Sequence, residues 1–287
     1  EFATRQLYNL SVNNVFDCSG NEVDESNKLE VALPENSVSG DVIINEVLFN
    51  PRPNGVDFIE VYNRSDKFIN LKNWIAGNIE EDEIVNNKPL FLNDYVLKPA
   101  SYLLFTSDPI DIKSNYPQGR EENFIVASLP SLPDNEGSIA IVNEQGTIVD
   151  SFGYSDDFHN DLVKDPEGIS LERISFDAST QDDSNWTSAS SVSGFATPGF
   201  QNSSFRIPGQ TEIGDIQVDP EIFSPNSGFS EFTQIHFNLD NTGYTSNVKI
   251  FDQQGRLIRT IANNQILGTT GSFRWEGEQE DGTRARA

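Results

Sequence analysis

Strand-length runs of apolar and β-branched residues, cut by turn-forming tripeptides, recur along almost the whole chain, and this narrows its possible folds more than any other feature. Val42-Ile43-Ile44-Asn45-Glu46-Val47-Leu48-Phe49 is one such run. Asp57-Phe58-Ile59-Glu60-Val61-Tyr62 alternates polar and apolar residues. A strand with one buried face requires this, because successive side chains leave on opposite sides. Ser101 to Thr106, Ser138 to Val142, Thr147 to Phe152 and Ile169 to Ile174 continue the series. Between them lie Pro53-Asn54-Gly55, Leu132-Pro133-Asp134-Asn135-Glu136-Gly137 and Glu144-Gln145-Gly146. Each is turn chemistry, and the last reads as a hairpin connection. Helical spacing behind a cap is scarce. Short strands at regular intervals predict an all-β chain made of sandwiches.

The length of 287 residues suits about two domains. A second strand series begins after Pro208-Gly209, with Glu212 to Val218, Phe232 to Leu239, Asn247 to Phe251, Arg256 to Ile261 and Ser272 to Trp275. The Ser-, Gly-, Pro- and Thr-rich stretch from Ser188 to Gln210 marks the junction. Residues 1–39 form a third, incomplete unit, with strands at Leu7 to Val12 and Leu29 to Leu33 around an Asp17-Cys18-Ser19-Gly20-Asn21 turn. Two strands cannot bury a core alone, so they pack on the next domain or are the remnant of an earlier one.

Charge and composition exclude several functions. The net charge is -26, and residues 1–207 hold 34 acidic against 13 basic side chains. Such a surface repels a phosphate backbone, so nucleic acid is not an expected partner. It offers hard oxygen ligands to divalent cations, so calcium is a possible cofactor, although solvated acidic faces explain the same composition. No run of about 18 apolar residues is present to span a membrane. Cys18 is the single cysteine, so neither an intrachain disulfide nor a Cys-based zinc site is possible. The N-terminus lacks a basic and then apolar leader, so either a signal was removed or the chain begins inside a longer parent protein.

Asp41 to Pro51, Asp57 to Ser65 and Ile69-Asn70-Leu71 together resemble the lamin tail domain, an immunoglobulin-like β-sandwich, in its bacterial extracellular branch. Gly168 to Ile174, Asn185 to Ala189 and Ala196-Thr197-Pro198-Gly199 are similar to the closing segments of that branch. Phe223-Ser224-Pro225, Val248 to Asp252, Gly255-Arg256 and Phe273 to Gly277 resemble the Ig-like domain of flagellar hook-capping proteins. The resemblance implies tandem immunoglobulin-like sandwiches. Residues 1–39 would be the end of a preceding Ig-like domain, 40–205 the lamin tail domain, and 206–287 the hook-capping-type domain without its last strand. It implies adhesion, anchoring or scaffolding in a bacterial secreted or cell-surface protein, through a protein or surface glycan partner, and no reaction.

The residues that could carry chemistry are few. His159 sits in an acidic loop with no nucleophile elbow nearby, and His236 alternates with Ile235 and Phe237, which places it on a polar strand face. Asp57 and Glu60 leave opposite faces of one strand and so do not form a glycosidase pair. Glu46 and Glu60 can meet across neighbouring strands. Within the family pattern, Glu46 is expected to pair with arginine or to satisfy backbone donors, with Arg64 and Arg173 as the candidate partners. Asp156, Asp157, Asp161 and Glu231 are the metal-ligand candidates. The run from Asn226 to Glu231 stands where related domains carry a calcium-type loop, but it lacks two of the three carboxylates, so a site there would be weak or lost. Trp74, Trp186 and Trp275 lie in family-like motifs where core packing is the default. The alternative function is a carbohydrate-binding accessory module of an extracellular hydrolase, which an exposed row of aromatics would favour.

Overall fold

Alternation along the chain becomes nineteen strands among the described residues of a computed structural model, which describes residues 2–11, 15–21, 28–206, 215–225 and 230–285, with Lys28 described by its backbone alone. β1 (Leu7–Ser11) pairs antiparallel with β2 (Lys28–Ala32). The central unit follows, with β3 (Val42–Leu48), β4 (Phe58–Asn63), β5 (Ile69–Asn70), β6 (Ile75–Glu80), β7 (Glu83–Pro89), β8 (Val96–Leu97) and β9 (Tyr102–Thr106). Helix α1 (Pro109–Asn115) comes next, then β10 (Phe124–Val126), β11 (Glu136–Val142), β12 (Ile148–Ser155), β13 (Leu171–Arg173) and β14 (Trp186–Ser188). The last unit holds β15 (Asp215–Asp219), β16 (Thr233–Asn238), β17 (Thr245–Phe251), β18 (Leu257–Ile266) and β19 (Thr270–Trp275).

In the central unit a six-stranded sheet, β10-β9-β4-β3-β13-β14, faces a four-stranded sheet, β12-β11-β6-β7. Val42, Ile44, Val47, Ile59, Val61, Leu103 and Phe105 from the first meet Ile139, Ile141, Val149, Phe152 and Tyr154 from the second in one buried cluster. Inward side chains on both sheets make this an immunoglobulin-like sandwich core. The outer face of the larger sheet is also covered. Leu48, Phe58 and Leu104 pack there under Ile112 of α1, under Tyr116 just past its end and under Ala196. That helix was not expected from the sequence, although Asp108 caps it by accepting from the backbone N–H of Ile110 and Asp111, with Pro109 at its start.

The third unit packs the sheet β15-β16-β19 beside the hairpin β17-β18 around Phe237, Ala262, Leu267 and Phe273. The expected strand from Glu212 begins at Asp215 in the structure, and residues 212–214 lie outside the described ones. The β1-β2 pair is tied to the central unit by Arg5 to Glu35 and Asp66 and by Lys98 to Glu30. Leu10 and Leu29 on the same pair are 51% and 62% exposed, so polar contacts rather than a shared core hold the pair.

Candidate functional site

Three glutamates stand side by side on three neighbouring strands. Glu60 of β4 is the cross-strand partner of Glu46 of β3, and Glu46 is the partner of Glu172 of β13. A bulge at Asn45 creates the row. The β3–β4 register shifts between Ile44 and Glu46, which turns Glu46 away from the core that Val42 and Ile44 face. Strict alternation would have put Glu46 inside. All three side chains are 0% exposed, and like charges directly opposite destabilise a sheet.

The segment 195–204 closes over the row and supplies its hydrogen bonds. Thr197 donates its backbone N–H to Glu46 at 2.8 Å, and Ser170 donates its hydroxyl to Glu46 at 2.5 Å. Glu60 accepts from Asn45 at 2.8 Å and from the Gly199 N–H at 2.5 Å. Glu172 accepts from the Ser203 N–H and hydroxyl and from the Ser204 N–H, at 3.1, 2.8 and 2.8 Å. Thr197 Oγ1 lies 3.1 Å from a Glu46 oxygen and 2.8 Å from a Glu172 oxygen. One hydroxyl hydrogen cannot serve two ionised carboxylates. A proton on Glu46 resolves this, with Glu46 donating to Thr197 and Thr197 donating to Glu172.

Electrostatics agree with that assignment. Burial, then the charge of Glu172, pushes the Glu46 carboxyl up to about 8. Burial and Glu46 push Glu60 well above the ordinary carboxyl range. Burial raises Glu172 as well, opposed by its donors from Ser203 and Thr197. Glu172, with the most donors, is the member best suited to stay ionised.

The expected arginine partners are elsewhere. β13 sends Leu171 inward, Glu172 outward and Arg173 inward, so Arg173 emerges on the opposite side of the sheet from Glu46. There its guanidinium donates to the Ile44 carbonyl at 2.7 Å and to Thr180 Oγ1 at 2.5 Å, and it pairs with Asp150 at 3.2 Å. It also sits 5.1 Å from the Trp186 ring centroid. Arg64 lies just past the end of β4, partly exposed, against Asp177 and the Phe176 carbonyl. Glu46 instead meets backbone and hydroxyl donors. Glu172, Ser203 and Thr197 were not singled out from sequence. Glu172 and Thr197 did lie in segments similar to the family's closing ones, but neither that likeness nor the Leu-Glu-Arg alternation of β13 reveals which strand lies beside it.

The remaining candidates are scattered. Asp156 and Asp157 are exposed in a single 3-10 turn capped by Ser155, and Asp161 and Glu231 are exposed. Residues 226–229 of the proposed calcium-type run lie outside the described residues. Among the described residues no group of three His, Cys, Asp or Glu side chains is placed to hold a metal ion. His236 is exposed on β16, whereas His159 is buried, with Nδ1 2.9 Å from the Ser188 hydroxyl. Burial pulls the His159 imidazole down to about 4, against the opposing charge of Asp156. In an NMR titration we expect its ring to change protonation near pH 4, and a midpoint near the ordinary 6.5 would show the ring to be solvated. Asp57 and Asp134 line a cleft of about 510 Å³, where burial and then Asp134 raise the Asp57 carboxyl to about 7.

Trp74 and Trp186 are core residues, and Trp275 is half-buried. Tyr102, Tyr62, Phe176 and Phe205 do form a half-buried row, with successive centroids 4.7, 4.2 and 4.4 Å apart. Tyr62 stacks on Phe176 at 20° and leans on Tyr102 at 37°, so its faces are spent on its neighbours rather than offered to a sugar ring.

The family model for the lamin tail domain matches residues 35–156. The match includes Glu46 and Glu60 and stops before β13 and the 195–204 segment. No curated protein matches the chain.

Proposed function

We propose that this chain, with its lamin tail domain match, is a non-catalytic structural module of a bacterial secreted or cell-surface protein, holding two β units in a fixed relation and presenting their end loops to a partner. One observation carries the reading: the hydrogen bonds that begin at the buried glutamates run on into the last unit. Ser203, which donates to Glu172, accepts at its carbonyl from the Thr269 N–H at 2.9 Å. Thr269 Oγ1 reaches the Phe205 carbonyl at 2.6 Å, and Ser190 and Ser191 hydroxyls donate to the Ile266 carbonyl. Val192 packs on the core of the last unit. A catalytic carboxylate must reach a substrate. These reach only their own chain, and their role is to fix the 195–204 segment on which the last unit rests.

Adhesion or anchoring would then fall to the sandwich end loops, which bind partners in folds of this kind. The likeness of the last unit to a hook-capping-type Ig-like domain, and an extracellular location, rest on the residue patterns quoted from the sequence. The net charge of -26 suits a solvated surface of that kind.

Gly268 allows the test. A Cβ at this position would lie 2.1 Å from the Ser203 carbonyl oxygen, a contact that neither backbone can relieve without separating. Calorimetry of the wild-type chain should show the units unfolding together, and Gly268→Ala should split off an earlier transition for the β15–β19 unit. Independent unfolding of the two units in the wild-type chain would defeat the proposal.

A further inference from the structure

The buried carboxylate row is closed on one side by chain that has no ladder of its own. β14 ends at Ser188 and β15 begins at Asp215, and no strand or helix lies between them among the described residues. Four backbone N–H groups of the 195–204 segment, those of Thr197, Gly199, Ser203 and Ser204, end on carboxylate oxygens instead. On the other side the row belongs to β3, β4 and β13, whose pairing runs through Glu46, Glu60 and Glu172. The segment is therefore the side that can give. Backbone groups paired with side chains rather than with a strand depend on the state of those side chains.

No positive charge offsets the row. None of the ion pairs among the described residues includes Glu46, Glu60 or Glu172. Tyr62 of β4, Tyr102 of β9 and Tyr116 past α1 are the titratable neighbours, and burial holds all three above the ordinary phenol range, so they stay neutral. Arg120 keeps its guanidinium over the Phe200 ring, 5.6 Å from the centroid, and Arg52 and Asp111 stand beyond, at Tyr116. β14 and the 195–204 segment carry no titratable side chain. His159, bonded to Ser188 at the end of β14, is neutral above about 4.

Hydrogen bonding already requires a proton in the row, since the Thr197 hydroxyl bridges Glu46 and Glu172 and can donate to only one of them. Removing that proton leaves neighbouring ionised carboxylates, 0% exposed, with no cation and one donor too few. Water is the missing donor, and it reaches the row only if the segment lifts. Ser203 carries that movement onward. Its N–H and hydroxyl donate to Glu172, and its carbonyl accepts from both the N–H and the hydroxyl of Thr269.

We propose that the row is a proton-operated latch: with the shared proton in place the 195–204 segment is seated and holds the β15–β19 unit against the central sandwich, and loss of that proton unseats the segment and frees the unit. The latch rests on the coupling of the two units argued above and adds what controls it.

The test is calorimetry of the full chain at about pH 6 and about pH 9, paired with amide hydrogen exchange read by mass spectrometry. One joint transition is expected at the lower pH. At the higher pH a separate transition for the β15–β19 unit should precede that of the sandwich by about 10 °C. Exchange there should quicken in 195–204 and β16 to β19, beyond the intrinsic rise with pH, and not in β3, β4 or β9. Glu46→Gln, a permanently neutral group in the same place, should keep the transition joint at about pH 9. Asp57→Asn, which removes a raised carboxyl from the cleft beside Asp134, should leave the split as it is in wild type. Should Glu46→Gln not fold, Glu60→Gln takes its place, and the wild-type pair of curves decides without either. A joint transition at both pH values, merely lowered at the higher one, would overturn the latch and leave the coupling standing. A split that persists in Glu46→Gln would overturn it too, whereas separate transitions already at about pH 6 would remove the coupling and the latch together.

Discussion

Raising the pH from about 6 to about 9 should destabilise this protein, with a slope of up to about 1.4 kcal/mol per pH unit for each glutamate still losing its proton. The Glu46 carboxyl is held at about 8 in the folded chain, above its ordinary 4.5. A carboxyl raised in this way stabilises the fold fully below its unfolded value, and that contribution drains away as the pH climbs through the folded value. The window therefore runs from 4.5 to about 8. Glu60 acts in the same direction through its own raised value, and so does Asp57, held at about 7. His159 acts oppositely. It is buried neutral at about 4, so its contribution is lost as the pH falls from 6.5 toward that value. The raised carboxyls outnumber the one imidazole, so the contribution of these groups should be greatest near pH 4.5 and fall as the pH rises from there. Urea unfolding followed by tryptophan fluorescence across this range reads the slope. Glu46→Gln places a neutral amide where the protonated carboxyl stood, so it should flatten the alkaline limb and leave the variant more stable than wild type at about pH 9. A wild-type stability that stays level to pH 9 would mean that the donors from Thr197, Gly199, Ser203 and their neighbours keep all three carboxylates ionised.

Arg173→Met should cost about 3–5 kcal/mol, the usual penalty for removing one partner of a buried ion pair. The side chain of Arg173 is 1% exposed, and it joins four things at once: the Ile44 carbonyl at the bulge, the Ala178 carbonyl, Thr180 and Asp150. Burial lowers the Arg173 guanidinium to about 10 and raises Asp150 despite their contact. Both shifts run toward the neutral forms, so desolvation outweighs attraction within the pair. The gain from this site is therefore geometric, in fixing the bulge and the loop over Trp186, more than coulombic. Arg173→Lys should fall well short of rescue, because a point charge cannot span partners that a planar fork reaches together. Changing both members, Arg173→Met with Asp150→Leu, should recover much of the loss, since no charge is then left buried alone. Equal losses for the single and double changes in urea unfolding would show that hydrogen bonds to Ile44 and Thr180, not the stranded carboxylate, dominate.

The sequence by itself determined many of the strands, although β6 and β7 of the smaller sheet were not among those it marked. Side-chain alternation is a local property, two residues long, so β4 and β9 could be read directly from Asp57 to Tyr62 and Ser101 to Thr106, and the turn at Glu144-Gln145-Gly146 marked the hairpin of β11 and β12. Adjacent runs joined by a short turn tend to pair, and this put Glu46 on the strand next to that of Glu60. The tertiary structure alone decided what those glutamates face. Glu172 is 126 residues from Glu46 along the chain and arrives beside it only because β13 pairs with β3. The bulge at Asn45 reversed the side on which Glu46 emerges, and no residue type there signals it. Arg173, one residue from Glu172, left by the other face and met Asp150 instead. Which charges share a face depends on pairing between distant segments and on a single inserted residue, and both are settled by the packing of the whole sandwich rather than by any local preference.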